Sequence, residues 1–124
     1  MTILYVGIGG FCGAIARYLL DGWVVGRTGA AFPWGTLAVN LSGSFLLGLL
    51  FALSVERGIL PADIRAPVLI GFIGAYTTFS TLALESWRLV ENGSSVLGIA
   101  NLVGSIVLGI VAVVGGLLLG RAFA

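Results

Sequence analysis

Four stretches of this chain carry no charged residue: 2–16, 28–55, 66–84 and 92–120. That pattern limits the folds open to the chain more than any single motif does. A helix needs about 20 apolar residues to cross a bilayer. Three of the stretches meet or nearly meet that length alone. The first reaches it by running through Arg17 into Tyr18, Leu19 and Leu20. Only 9% of the residues are charged and 59% are hydrophobic, whereas soluble domains carry about 25% charged residues. A surface this poor in charge belongs in lipid. The expected fold is an all-α membrane protein with four transmembrane helices in a single domain. The expected spans are residues 2–22, 34–56, 66–89 and 95–120. They take up nearly the whole 124-residue chain and leave no room for a soluble catalytic domain.

Charge and composition remove several function classes. The chain has no His, so it lacks the commonest proton shuttle and metal ligand. Cys12 is the lone cysteine, which allows no internal disulfide and no cysteine metal site. There is no nucleophile–base pair, phosphate loop or basic patch, so neither an enzyme nor a nucleic-acid partner is expected. No basic residue precedes the first apolar run, which is unlike a secretory signal.

With four spans the termini share a side with the loop between spans 2 and 3. That side holds Arg57, Arg65 and Arg121, and the other holds Arg17, Arg27 and Arg88. Orientation follows an excess of Lys and Arg on the cytoplasmic side, and three against three gives none. Two readings stand: a bias too small to count, or insertion in both orientations. The second would favour an antiparallel dimer with its two-fold axis in the membrane plane.

The spans carry polar tracks. In the first, Gly9 and Gly13 form a small-xxx-small pair for close helix approach, and Arg17 either snorkels or faces a watery vestibule. Residues 21–34 read as a loop, punctuated by Gly26, Gly29 and Pro33, with Trp23 and Trp34 suited to the interface. In the second span, Thr36, Asn40 and Ser44 are four apart and share a face. Asn40 reads either as interhelical glue or as an N–H donor to an anion. Ser44 and Gly48 make a second small-xxx-small pair. Pro67 suits the first turn of the third span. In the fourth, Asn101, Ser105 and Gly109 repeat the four-residue spacing.

The third span holds the densest polarity, in GFIGAYTTFSTLALE over residues 71–85. Gly71 and Gly74 weaken the helix, and the β-branched pair Thr77–Thr78 follows. Together they predict a break near mid-membrane. Carbonyls freed there are tolerated only where protein, water or an ion satisfies them. Thr78, Thr81 and Glu85 then fall on one stripe, with Phe79 and Leu82 on a neighbouring apolar one. Hydroxyls and an amide, with no Lys or Arg at mid-depth, suit a small, partly dehydrated ion. A phenyl ring is positive at its edge, so Phe79 can face an anion edge-on.

Three stretches in order, GGFCGAIARY, WGTLAVNLSGSFLLG and GFIGAYTTFSTLALE, make the chain resemble the Fluc (CrcB-like) fluoride channels along its whole length. The resemblance implies a fluoride-selective channel in the inner membrane of a bacterium or archaeon, exporting fluoride passively and relieving its toxicity. It implies an antiparallel dual-topology dimer in the bilayer. It also implies a structural sodium ion at the dimer interface, held by the backbone carbonyls of Gly74 and Thr77. The family's fluoride-pore positions fall on Asn40, Phe79, Ser80, Thr81, Glu85, Asn101 and Ser105, and a vestibule cation falls on Arg17. Members with a second pore phenylalanine place it where this chain has Leu82. Either a homodimer works with one aromatic per subunit, or this chain is one subunit of a heterodimeric channel. The competing class is a small proton-coupled multidrug transporter. It needs a carboxylate deep in the first helix, and Asp21 lies near that helix's end.

Overall fold

A computed structural model describes residues 1–123. Helix α1 covers Thr2–Thr28 and α2 covers Trp34–Phe51, continued by a π-helical turn over Ala52–Glu56. A short 3-10 turn, Ala62–Ile64, leads to π-helical turns over Ala66–Ile73, which run directly into α3, Gly74–Tyr76. Helices α4, Phe79–Glu91, and α5, Ser95–Ala122, complete the chain. Among the described residues, four helical runs are long and apolar enough to cross a membrane: Thr2–Thr28, Trp34–Glu56, Ala62–Glu91 and Ser95–Ala122. The protein is a multi-pass, all-helical membrane protein.

The first helix is longer than the sequence suggests. Residues 21–28, expected to begin a loop, are helical. No proline interrupts them, and local contacts support the added turns. The Arg27 guanidinium lies over the Trp23 ring at 4.8 Å, and the Thr28 hydroxyl donates to the Val24 carbonyl at 2.9 Å. The helix stops at Gly29, whose φ of 79° and N–H bond to Val25 O turn the chain out of the helix. Pro67 sits in the first turn of its segment, where its missing N–H costs nothing.

Glycine lets the first helix approach the third span. A Cβ on Gly71 would lie 2.6 Å from the Val6 carbonyl oxygen, and one on Gly13 would overlap the Phe72 carbonyl. The backbones therefore touch, as small residues allow where lipid offers no hydrophobic driving force. Gly71 and Gly74 are both helical. The role of Gly71 is thus close approach to α1, and the backbone turns extended only after α3, at Thr77 and Thr78.

Helix α2 is central, between α1 and α5, while α4 packs on α5. The buried apolar residues are few: Val39, Ala52, Ile73, Tyr76 and Leu82. Large side chains such as Ile3 and Phe11 of α1 and Ile110 and Val111 of α5 point outward, as a lipid-facing surface requires. At one end, Arg121 pairs with Glu56 through two bonds of 2.8 and 3.0 Å. Arg57 donates to the carbonyls of Arg121 and Phe123 at 2.7 and 2.9 Å, capping the end of α5. Arg65 donates to Ser54 O at 2.8 Å.

Candidate ion-conduction site

The site is built on two residues that are not helical. Thr77 has φ −82° and ψ 156°, and Thr78 has φ −149° and ψ 119°. An extended residue inside a bilayer needs partners for both of its backbone polar groups. Asn40, reaching across from α2, supplies both. Its Oδ1 accepts from the Thr78 N–H at 2.8 Å, and its Nδ2 donates to the Thr78 carbonyl at 3.0 Å. The primary amide thus imitates a paired strand. It retains one N–H.

Thr78 also starts the next helix. Its hydroxyl oxygen accepts from the Thr81 N–H at 3.3 Å, an N-cap, and it donates to the Thr81 hydroxyl at 3.1 Å. These bonds have a consequence for two carbonyls. In a continuous helix the Thr78 N–H would serve Gly74 O, and the Thr81 N–H would serve Thr77 O. Both donors are engaged elsewhere, so Gly74 and Thr77 lose the partners that regular helix would give their carbonyls.

Beside the extended pair lies a groove of about 400 Å³. Its lining brings together four expected fluoride-pore positions, Asn40, Phe79, Leu82 and Ser105, with the expected ion ligand Thr77 and the stripe residues Ser44 and Thr78. Phe79 and Leu82 belong to one groove but differ in burial: Phe79 is 72% exposed and Leu82 only 5%. Phe79 therefore projects from the surface of the single chain, while Leu82 closes the bundle side. On the other side of Thr78, a small cavity of about 30 Å³ is lined by Arg17, Asp21, Thr36 and Thr81. The Thr36–Asn40–Ser44 stripe thus passes from this cavity to the groove.

The remaining expected residues lie apart. Glu85 lines a separate pocket of about 530 Å³ with Asp21, Arg88 and Asn92. Asn101 is buried and donates to the Ser86 hydroxyl at 2.9 Å. Asn101 and Ser105 share a further pocket of about 200 Å³ under the Phe32 and Trp34 rings, so Ser105 touches two cavities. Ser80 is exposed, and so is Gly74.

Three polar atoms of the expected site residues are buried without a hydrogen-bond partner: Arg17 Nε, Glu85 Oε1 and Ser105 Oγ. Buried polar atoms are almost always paired, and these three stand in different cavities: Arg17 in the small one, Glu85 in its own pocket and Ser105 in the groove. Ser42, Tyr76 and Ser86 were not expected here. Ser42 stands off the four-residue stripe of α2, and nothing in the sequence marks its partner. Among the described residues no group of three or more His, Cys, Asp or Glu side chains could hold a metal.

The sequence also matches known proteins. Residues 4–117 match the profile of the family described as CrcB-like protein, Camphor Resistance (CrcB). The fluoride-specific ion channel FluC of Hahella chejuensis is 48% identical over 82% of this chain and 80% of its own. The FluC protein of Magnetococcus marinus is 48% identical over 83% of this chain and 84% of its own. That of Syntrophotalea carbinolica is 47% identical over the same shares. With a family match across nearly its whole length, and relatives this similar, the chain belongs to the CrcB-like family.

Proposed function

We propose that this chain is a subunit of a fluoride-selective channel, through which fluoride leaves the cell passively across the cytoplasmic membrane. The observation that carries the reading is the groove beside the extended Thr77–Thr78 pair. Its polar lining consists of hydroxyls, an amide and backbone, with no Lys or Arg among its residues. Such a lining suits a small anion. A full positive charge in a low-dielectric groove would hold an anion too tightly to release it, whereas neutral donors replace water at modest strength. The donors in this reading are the remaining Asn40 N–H, the Ser105 hydroxyl and the edge of Phe79 in the groove, with the Thr81 hydroxyl in the small cavity beyond Thr78 and the exposed Ser80 hydroxyl outside both. Glu85 continues the polar path beyond the groove, while Asn101 spends an N–H on Ser86 and braces α4 against α5. Arg17 draws anions toward the small cavity without entering the groove.

The same reading includes an antiparallel, dual-topology homodimer and a mid-membrane break in the third span at Thr77–Thr78. What supports the dimer is the even division of arginines and the exposure of Phe79 and Gly74 on a single chain. The donor set fits a structural sodium ion: the Gly74 and Thr77 carbonyls lack their helical donors, and hard cations take oxygen ligands. Two carbonyls from each of two subunits would hold it, and the ion would supply positive charge that joins the subunits.

Fluoride efflux from liposomes holding the purified, singly expressed chain tests the reading. Fluoride efflux with no chloride efflux is expected, from a protein that cross-links as a dimer. Equal chloride permeation, or no fluoride movement, would overturn it. Asn40→Asp is expected to abolish throughput. It sets a carboxylate against the anion and replaces the donor to Thr78 O by an acceptor. Wild-type flux in that variant would remove Asn40 from the pore. The proton-coupled transporter has no support here, because α1 places no carboxylate deeper than Asp21.

A further inference from the structure

Tyr76 is the last helical residue before the extended pair, and its side chain is buried. Its ring stacks on Phe72, centroids 5.8 Å apart and planes 13° from parallel. Its hydroxyl lies 2.8 Å from Ser42 Oγ on α2. Ser42 in turn donates to the Val39 carbonyl at 3.1 Å. Serine has one proton, and that bond takes it, so Tyr76 is the donor of the pair. The result is a short relay: Tyr76 O–H to Ser42 O–H to Val39 C=O. The next residue of α2 closes the arrangement. A Cβ on Gly43 would stand 3.0 Å from Tyr76 Cδ2 and still nearer to the Thr77 methyl. The α2 backbone therefore presses directly on Tyr76 and Thr77.

Neither Ser42 nor Tyr76 lines the groove. They lie behind it, and they hold the point at which the chain leaves α3. The tyrosine is fixed along its ring by Phe72, at its tip by Ser42 and from the side by Gly43. With the ring fixed, its Cα is fixed, and so is the direction taken by Thr77. Two residues later the Thr78 backbone must meet the Asn40 amide at 2.8 and 3.0 Å. A rotation at Tyr76 would swing it out of reach.

We propose that Ser42 and Tyr76 are positioning residues for conduction, acting through their mutual hydrogen bond to place the Thr78 backbone and the Phe79 ring. The inference rests on the channel reading above and deepens it. A functional constellation tolerates little displacement of the groups that line it. A lost bond between two hydroxyls behind the groove is therefore read out in flux before it is read out in folding.

The test uses the full chain, reconstituted, with fluoride flux counted per assembled channel. Tyr76→Phe and Ser42→Ala are each expected to lower flux about fivefold, the size of one ordinary hydrogen bond. The double variant is expected to conduct no worse than either single one, because both remove the same bond. Ser42→Thr keeps the hydroxyl and is expected to restore flux. In protein labelled with ¹⁵N-threonine, the Thr78 amide resonance is expected to shift in Tyr76→Phe and Ser42→Ala. A purely structural role would lower the melting temperature yet leave flux per channel and the Thr78 resonance unchanged, and that result would overturn the proposal. Absence of flux in the wild-type chain would sink the channel reading instead. The Thr78 resonance would still decide whether the pair positions that backbone.

Discussion

Asn40 on α2 and Asn101 on α5 are both amides inside apolar helices, and they are engaged differently. Asn40 places both ends of its amide on the backbone of one extended residue, Thr78. Asn101 gives one N–H to a side chain, Ser86. The helices joined by Asn101 already satisfy their own backbones, so its bond adds cohesion and little else. Double-mutant cycles in membrane proteins put such interhelical bonds near 0.6 kcal/mol. Thr78 has no such reserve. Its N–H and C=O are outside any helix, and an amide is the uncharged side-chain group that offers donor and acceptor side by side. The difference shows where polarity in this chain is structural glue and where it holds an otherwise untenable backbone.

Asn40→Ala should produce the largest effect. It strands two backbone groups, each costing about 1–3 kcal/mol when buried without a partner. The expected result is loss of fluoride efflux by at least about 100-fold, a figure in keeping with that cost, together with fewer assembled channels. Efflux normalised to folded protein measures it. Flux within twofold of wild type would mean that Thr78 finds other partners, and the contrast between the two amides would collapse.

Asn101→Ala should do much less. One interhelical bond of about 0.6–1 kcal/mol is lost, and the α4–α5 contact at Gly98 against the Ser86 carbonyl remains. A lower melting temperature is expected, with flux within about threefold of wild type. A loss as deep as that of Asn40→Ala would place Asn101 in the conduction path as a donor in its own right, and would sharpen the comparison in that direction.

Much of this was legible in the chain. Charge-free stretches gave the four spans because burying charge in lipid is costly, and small-xxx-small spacing marked Gly9 and Gly13 as a place of close helix approach, without naming the helix that approaches. The four-residue stripe through Thr36, Asn40 and Ser44 gave the face of α2 that meets Thr78. What the sequence could not give was partners. Asn40 reads either as glue or as an anion donor until the Thr78 backbone is placed beside it. Ser42 and Tyr76 are ordinary side chains until their hydroxyls meet across 34 positions. Residues 21–28 read as the start of a loop because Gly26 punctuates them, yet Gly22 and Gly26 are both helical and have no neighbour within 4 Å of an added Cβ. They are tolerated in the helix, and they do not end it.

The smallest effect is expected from Glu56→Gln, and it provides the baseline for the other two. Glu56 and Arg121 join the ends of α2 and α5, the two helices that carry Asn40 and Asn101. Their side chains are 33% and 49% exposed, so the pair is screened and exchanges readily with water or headgroups. Arg57 separately holds the last carbonyls of α5, so the helix ends stay together when the pair is lost. Unchanged fluoride flux is expected, with the least thermal shift of the three variants and one that shrinks as salt is raised. If Glu56→Gln instead lowered flux as Asn40→Ala does, any loosening of α2 against α5 would suffice to disturb the groove. The Asn40 effect could then no longer be assigned to Thr78. An unaffected Glu56→Gln channel is therefore what allows the two amides to be compared as local devices.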